Sequence, residues 1–143
     1  LRNHFILIIF ITVLVGIIQM EYIIPSLSTK YYNKAWNMVN CDKKYNDSLT
    51  YLNIAIGLNH RSEVAYIERG WVYVKLKDYN KAIPDYTRAI DLNPNFAMSF
   101  YGRGFAYYYI GDYSKAVKDW NAAISIDPKL REELDKWIDK AKE

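Results

Sequence analysis

Hydrolytic and transfer chemistry at neutral pH usually needs an imidazole or an activated thiol, and this chain has few of either. Its histidines are His4 and His60, and its single cysteine is Cys41. His4 precedes a long apolar run and His60 stands apart, so no serine or cysteine nucleophile has a histidine base. Cys41 cannot form an internal disulfide and reads as a small structural or surface thiol rather than a nucleophile. No Cys or His cluster has metal-ligand spacing, and no Walker loop is present. Gly102-Arg103-Gly104 is the glycine-rich candidate for a phosphate cradle. It falls inside an expected helix with no strand before it, so it reads as helix packing. Asn46-Asp47-Ser48 is a glycosylation sequon, relevant only in a eukaryotic secretory pathway. No catalytic residue, cofactor site or metal site is assigned, and the expectation is a protein that is not an enzyme.

The chain offers surface instead. It holds 14 Tyr, 5 Phe and 4 Trp in 143 residues, and 51% of its residues are hydrophobic. That is enough to bury a core, so disorder is excluded for most of the chain. Lys and Arg number 19 against 16 Asp and Glu, giving +3 with the signs interspersed. No basic block concentrates that charge, so no nucleic-acid partner is expected.

The elements that hold these aromatics follow from an internal repeat. Residues 63–96 and 97–130 align over 34 columns with eleven identities, among them Arg69/Arg103, Gly70/Gly104, Tyr73/Tyr107, Asp85/Asp119 and Pro94/Pro128. A fixed period near this length marks a solenoid. Tyr66, Gly70 and Tyr73 fall at helical spacing, as do Tyr79, Ala82, Ile83, Tyr86, Ala89 and Ile90. A tight turn, Lys77-Asp78 or Gly111-Asp112, joins the two helices of a unit. Gly111 can adopt the left-handed conformation there at little cost, whereas Lys77 is strained by it. Residues 29–62 form an earlier, degenerate unit, with Trp36 in the Gly slot, Ser48 in the first Ala slot and His60 in the Pro slot. Residues 131–143 carry the apolar stripe Leu134, Trp137, Ile138 and Ala141, which suits a capping helix.

The units AYIERGWVYVKLKDYNKAIPDYTRAIDLNPN and SFYGRGFAYYYIGDYSKAVKDWNAAISIDPK resemble the tetratricopeptide repeat. The resemblance covers about residues 29–143. It implies an all-α fold, an α-solenoid of antiparallel helix pairs in about three units plus a C-terminal capping helix. It also implies that the first helix of each unit lines a concave groove. The residues projecting there would be Ile67, Trp71, Val74 and Lys75, then Tyr101, Phe105, Tyr108 and Tyr109, with Asn33, Asn37 and Asn40 as first-unit counterparts. Packing between repeats is the competing role for Phe105 and Tyr101, and less so for Tyr108 and Tyr109. The core slots are taken by Tyr66, Tyr73, Tyr79, Tyr86, Phe100, Tyr107, Tyr113 and Trp120. Some members clamp the terminal carboxylates of chaperones. Of the matching slots Asn37 fits, but Asn33, Glu68, Met98 and Gly102 do not, so such tails are disfavoured here.

Arg69 and Arg103 stand where many members of that family carry Leu. Each has an Asp sixteen residues on, Asp85 and Asp119, and both are replaced in the degenerate unit by Ala35 and Tyr51. The pattern predicts ion pairs bridging the two helices of a unit, each worth under ~1 kcal/mol if exposed.

Residues 1–24 form a separate segment, joined through a linker at 25–28. Phe5–Ile18 carries no formal charge, and extending it to Ile24 gives a length near the roughly 20 residues that span a bilayer. The first reading is an uncleaved signal anchor. A cleaved signal peptide, with Ser26-Leu27-Ser28 as its small-residue site, and a buried core helix are the others. Arg2 favours a cytoplasmic amino terminus, and Lys30 and Lys34 oppose it from further off. The preferred placement is therefore a membrane-anchored repeat domain outside the cytoplasm. Cleavage would leave it secreted or periplasmic, and a cytoplasm-facing domain is least favoured. The expected role is a membrane-tethered adaptor binding a partner peptide or helix in its groove. The alternatives are a cytoplasm-facing import-receptor-like or assembly factor, or an accessory subunit of an enzyme complex.

Overall fold

The computed structural model describes residues 2–41 and 43–142. Leu1, Asp42 and Glu143 lie outside the described residues, as do the side chains of residues 2–8, including the Arg2 and His4 of the leader. The described residues hold seven α-helices and no strand: α1 Arg2–Asn40, α2 Tyr45–Leu58, α3 Glu63–Lys75, α4 Tyr79–Leu92, α5 Ala97–Tyr109, α6 Tyr113–Ile126 and α7 Arg131–Lys140, with a 3-10 turn at Pro128–Leu130. Helix α1 packs on α2, α3 on α4 and α5 on α6. Helices α2 on α3 and α4 on α5 link successive pairs, and α7 covers α6. This is an all-α solenoid of antiparallel pairs.

The turn inside each pair recurs at one repeat position. Lys43, Lys77 and Gly111 all take positive φ, at 54°, 61° and 87°. The glycine is relaxed in that conformation and the two lysines are strained. The core is made of small residues facing large ones. Ala82, Ala89, Ala106, Ala116 and Ala123 are fully buried beside Tyr86 and Trp120. Of the aromatics expected in core slots only these two are buried, and Tyr113 is 49% exposed. The others cover the core edges with their rings half-buried. In α7, Leu134 and Ile138 are buried against α6 while Trp137 is half-buried.

Glycines in the first helices admit those rings. A Cβ on Gly70 would lie 3.1 Å from the Tyr86 ring, and one on Gly102 only 2.4 Å from it. A Cβ on Gly104 would lie 2.5 Å from Trp120. Gly102-Arg103-Gly104 is thus a packing device within α5. Trp36, at the Gly slot of the degenerate unit, is 45% exposed, and the neighbouring Ala35 is the buried contact.

Helix α1 differs from the expected division. Residues 25–28, expected as a linker, are helical, and Pro25 lies inside α1 without ending it. Proline removes one helical donor, and here the helix continues past that loss. Among the described side chains Ser28 is the first buried one on α1, and its hydroxyl donates to the Ala55 carbonyl at 2.9 Å. The helix enters the solenoid at that point.

Candidate interaction groove

The first helices α3 and α5 face each other across a cleft of about 370 Å³. Ile67, Trp71, Val74 and Lys75 come from α3, Met98, Tyr101, Gly102, Phe105 and Tyr109 from α5, and Tyr86 of α4 closes the floor. A second cleft of about 330 Å³ lies between α1 and α3, bounded by Tyr32, Asn40, Val64, Glu68 and Phe96. The two clefts share Ile67, Trp71 and Met98, so they form one groove across three helices.

Seven of the eight expected groove residues meet here, and Tyr108 does not. Its ring lies 5.3 Å from Trp137, 5.2 Å from Tyr113 and 5.7 Å from Trp120, in the aromatic cluster between α5, α6 and α7. Tyr108 therefore welds the cap to the last unit. Phe105 serves both purposes: it walls the cleft and meets Trp120 and Trp137 edge-on at 5.0 and 5.1 Å. Tyr101 packs on Phe105 at 4.9 Å and its hydroxyl donates to Glu133 Oε1 at 2.7 Å. Burial and that acceptor raise the Tyr101 phenol well above its ordinary range. Tyr109 is 49% exposed at the rim and stacks on Tyr79 at 5.0 Å. The Lys75 ammonium sits 4.6 Å over the Trp71 ring. Of the first-unit counterparts, Asn40 lines the groove, whereas Asn33 and Asn37 do not.

Met98, Gly102 and Tyr86 line the groove in addition to the residues expected there. Tyr86 belongs to a second helix and reaches the groove floor only because Gly102 has no side chain. Two glycines, 70 and 102, aimed at one aromatic were the available signal.

The groove's opposite face carries the predicted ion pairs. Arg69 donates from Nε and Nη2 to the two carboxylate oxygens of Asp85, and its Nη1 reaches Asn53 Oδ1 of the preceding unit at 2.7 Å. Arg103 repeats this with Asp119, and its Nη1 reaches Thr87 Oγ1 at 3.0 Å. Asp85 and Asp119 are each 5% exposed, so the pairs are buried at the acid end rather than exposed. Each arginine thus joins two helices of its own unit and a helix of the unit before. The slot after Arg103 holds Trp137, where the ladder stops.

Among the described residues no group of His, Cys, Asp and Glu is arranged to hold a metal ion. Cys41 is exposed.

The family model for the tetratricopeptide repeat matches residues 64–96 and 97–130. No curated protein matches the chain. Several solved structures share the fold. The tetratricopeptide domain of Arabidopsis OM64 superposes with a TM-score of 0.78 at 21% identity, covering 82% of this chain and 98% of that one. The TPR2B domain of yeast Sti1, solved in a complex with pHsp70, gives 0.77 at 19% identity, covering 82% and 97%. The second such domain of human RPAP3, solved in complex with the HSP70 peptide SGPTIEEVD, gives 0.76 at 20% identity, covering 83% and 98%.

Proposed function

The chain carries two tetratricopeptide repeats, at residues 64–96 and 97–130, and from that premise we propose that it is a non-catalytic adaptor, tethered to a membrane by α1, whose groove holds a segment of a partner protein. The observation that carries this reading is the continuous groove sharing Ile67, Trp71 and Met98. Its walls include apolar side chains beyond those the core encloses: Met98 is 45% exposed and Tyr109 49%. Aromatic and methionine side chains set in a concavity are what a docking site requires. The peptide complexes of the Sti1 and RPAP3 domains support the same use of the fold. The partner class differs, because Glu68, Met98 and Gly102 stand where a carboxylate clamp needs cations or amides.

The tether rests on α1. Between Ile9 and Ile23 its large apolar side chains are exposed on every face, from Tyr22 at 82% to Val15 at 47%. A helix apolar all round needs a core or a bilayer to cover it, and no other helix packs along this stretch. We put the repeat domain outside the cytoplasm on the charge argument from Arg2.

Both parts have direct tests. A photo-crosslinking residue at Tyr109, on the groove rim, should give a discrete adduct in cells, and one at the exposed Asn121 on α6 should not. Equal adducts from both positions, or none from Tyr109, would reject the groove. Protease added to intact cells should digest the repeat domain, and full protection would reject the external placement.

A further inference from the structure

Glu68 is the one carboxylate among the described residues lining the groove. It occupies the slot filled one repeat later by Gly102. Gly102 must stay bare because Tyr86 fills the space in front of it, whereas the slot equivalent to Tyr86 in the preceding unit is Leu52, which leaves room for a longer side chain. The carboxylate is half-buried beside Tyr32 and Trp71. Burial pushes its proton affinity up, and the nearby Asn40 amide offsets this in part. Among the described residues no lysine or arginine pairs with it, although every Arg–Asp pair of the opposite face is closed.

A half-buried acid without a cation is an electrostatic deficit that a ligand can fill. Resting on the groove reading above, we propose that the partner segment seats a lysine or arginine side chain against Glu68 and a neighbouring aliphatic or aromatic side chain in the cleft between α3 and α5. The two subsites are contiguous through Ile67, Trp71 and Met98, so a single extended segment can fill both. Tyr32 supplies aromatic surface suited to a cation beside the acid, while the Trp71 ring already carries Lys75. Specificity then comes from charge and affinity from the apolar cleft.

The test pans a phage-displayed library of short random peptides on the full chain in detergent micelles, using wild type, Glu68→Gln, Glu68→Lys and Met98→Arg, with circular dichroism confirming helicity of each. Wild type should retain peptides in which Lys or Arg neighbours an apolar residue. Those peptides, measured by fluorescence anisotropy, should bind Glu68→Gln about tenfold more weakly, and Glu68→Lys should reject them. Retained peptides that are acidic, that show no basic enrichment, or that bind Glu68→Gln equally well would overturn the cation assignment while leaving the groove intact. Peptides retained equally by Met98→Arg would overturn the groove itself.

Discussion

Arg69 holds both carboxylate oxygens of Asp85, at 2.7 Å from Nε and 2.6 Å from Nη2, and so ties α3 to α4 across the unit. Asp85 is 5% exposed, and removing the arginine would leave its charge buried. Arg69→Ala should therefore cost about 3 kcal/mol, near the low end for a broken buried pair because the guanidinium keeps some solvent. The double change Arg69→Leu with Asp85→Leu should cost clearly less than the single one, since neither charge is stranded. Chemical denaturation of the full chain followed by circular dichroism measures both. A double variant worse than the single would show that the pair itself, rather than its completeness, supplies the stability.

Glycine substitutions should rank by the space each faces. Gly102→Ala, 2.4 Å from the Tyr86 ring, and Gly104→Ala, 2.5 Å from Trp120, should each cost at least the ~1–3 kcal/mol of an overpacked core. Gly70→Ala, at 3.1 Å, should cost less. Gly57 meets nothing within 4 Å in α2, so Gly57→Ala should raise stability by about 0.5–1 kcal/mol. Melting temperatures of the four variants give the order directly.

The inter-helix turn makes an opposite pair of predictions. Lys77 has φ of 61°, so Lys77→Gly should gain up to about 1 kcal/mol by relieving the left-handed strain. Gly111→Lys should lose a similar amount, because Gly111 holds φ of 87° at the same repeat position.

Ser99 is fully buried in α5 and its hydroxyl has no hydrogen-bond partner among the described residues, while the equivalent slot one repeat earlier is Ala65. Ser99→Ala should be neutral or stabilising by about 1 kcal/mol, the reverse of most buried substitutions. A loss above that size would mean that the hydroxyl is satisfied.

The Asp112 cap should show in the acid limb of stability. Its carboxylate accepts from the Lys115 ammonium at 2.6 Å and the Lys115 backbone N–H at 3.2 Å, which holds its pKa below the ordinary 3.8. A folded-state value below the unfolded one adds stability above the ordinary pKa, and that stability fades as pH falls through the lowered value. The gap between wild type and Asp112→Ala should accordingly be constant above about pH 5 and shrink toward pH 2. Urea midpoints across that range read the effect.

The repeat made much of this architecture legible. Columns 34 apart fixed which residue turns and which arginine meets which aspartate, because each unit solves the same packing problem. The burial of Asp85 and Asp119 was not legible, since an isolated Arg and Asp in a helix pattern look like surface charges. Tyr108 was misplaced because its orientation is decided by Trp137 of α7, which lies outside the repeating pattern. The helical path through residues 25–28 was hidden by Pro25, whose local preference is overruled once Ser28 and Ala35 pack α1 onto the solenoid. The surroundings of Glu68 were not legible either, because Tyr32 and Asn40 reach it from α1, the helix of the degenerate unit.

The most direct measurement of the groove is the affinity of the partner recovered by crosslinking, determined for the full chain and for Met98→Arg. Met98 is 45% exposed on the wall shared by both clefts, so the substitution should leave the fold intact while blocking the groove and neutralising Glu68. The predicted result is a loss of at least about tenfold, with an unchanged affinity for a control substitution at Asn121. Equal affinity of wild type and Met98→Arg would contradict the account.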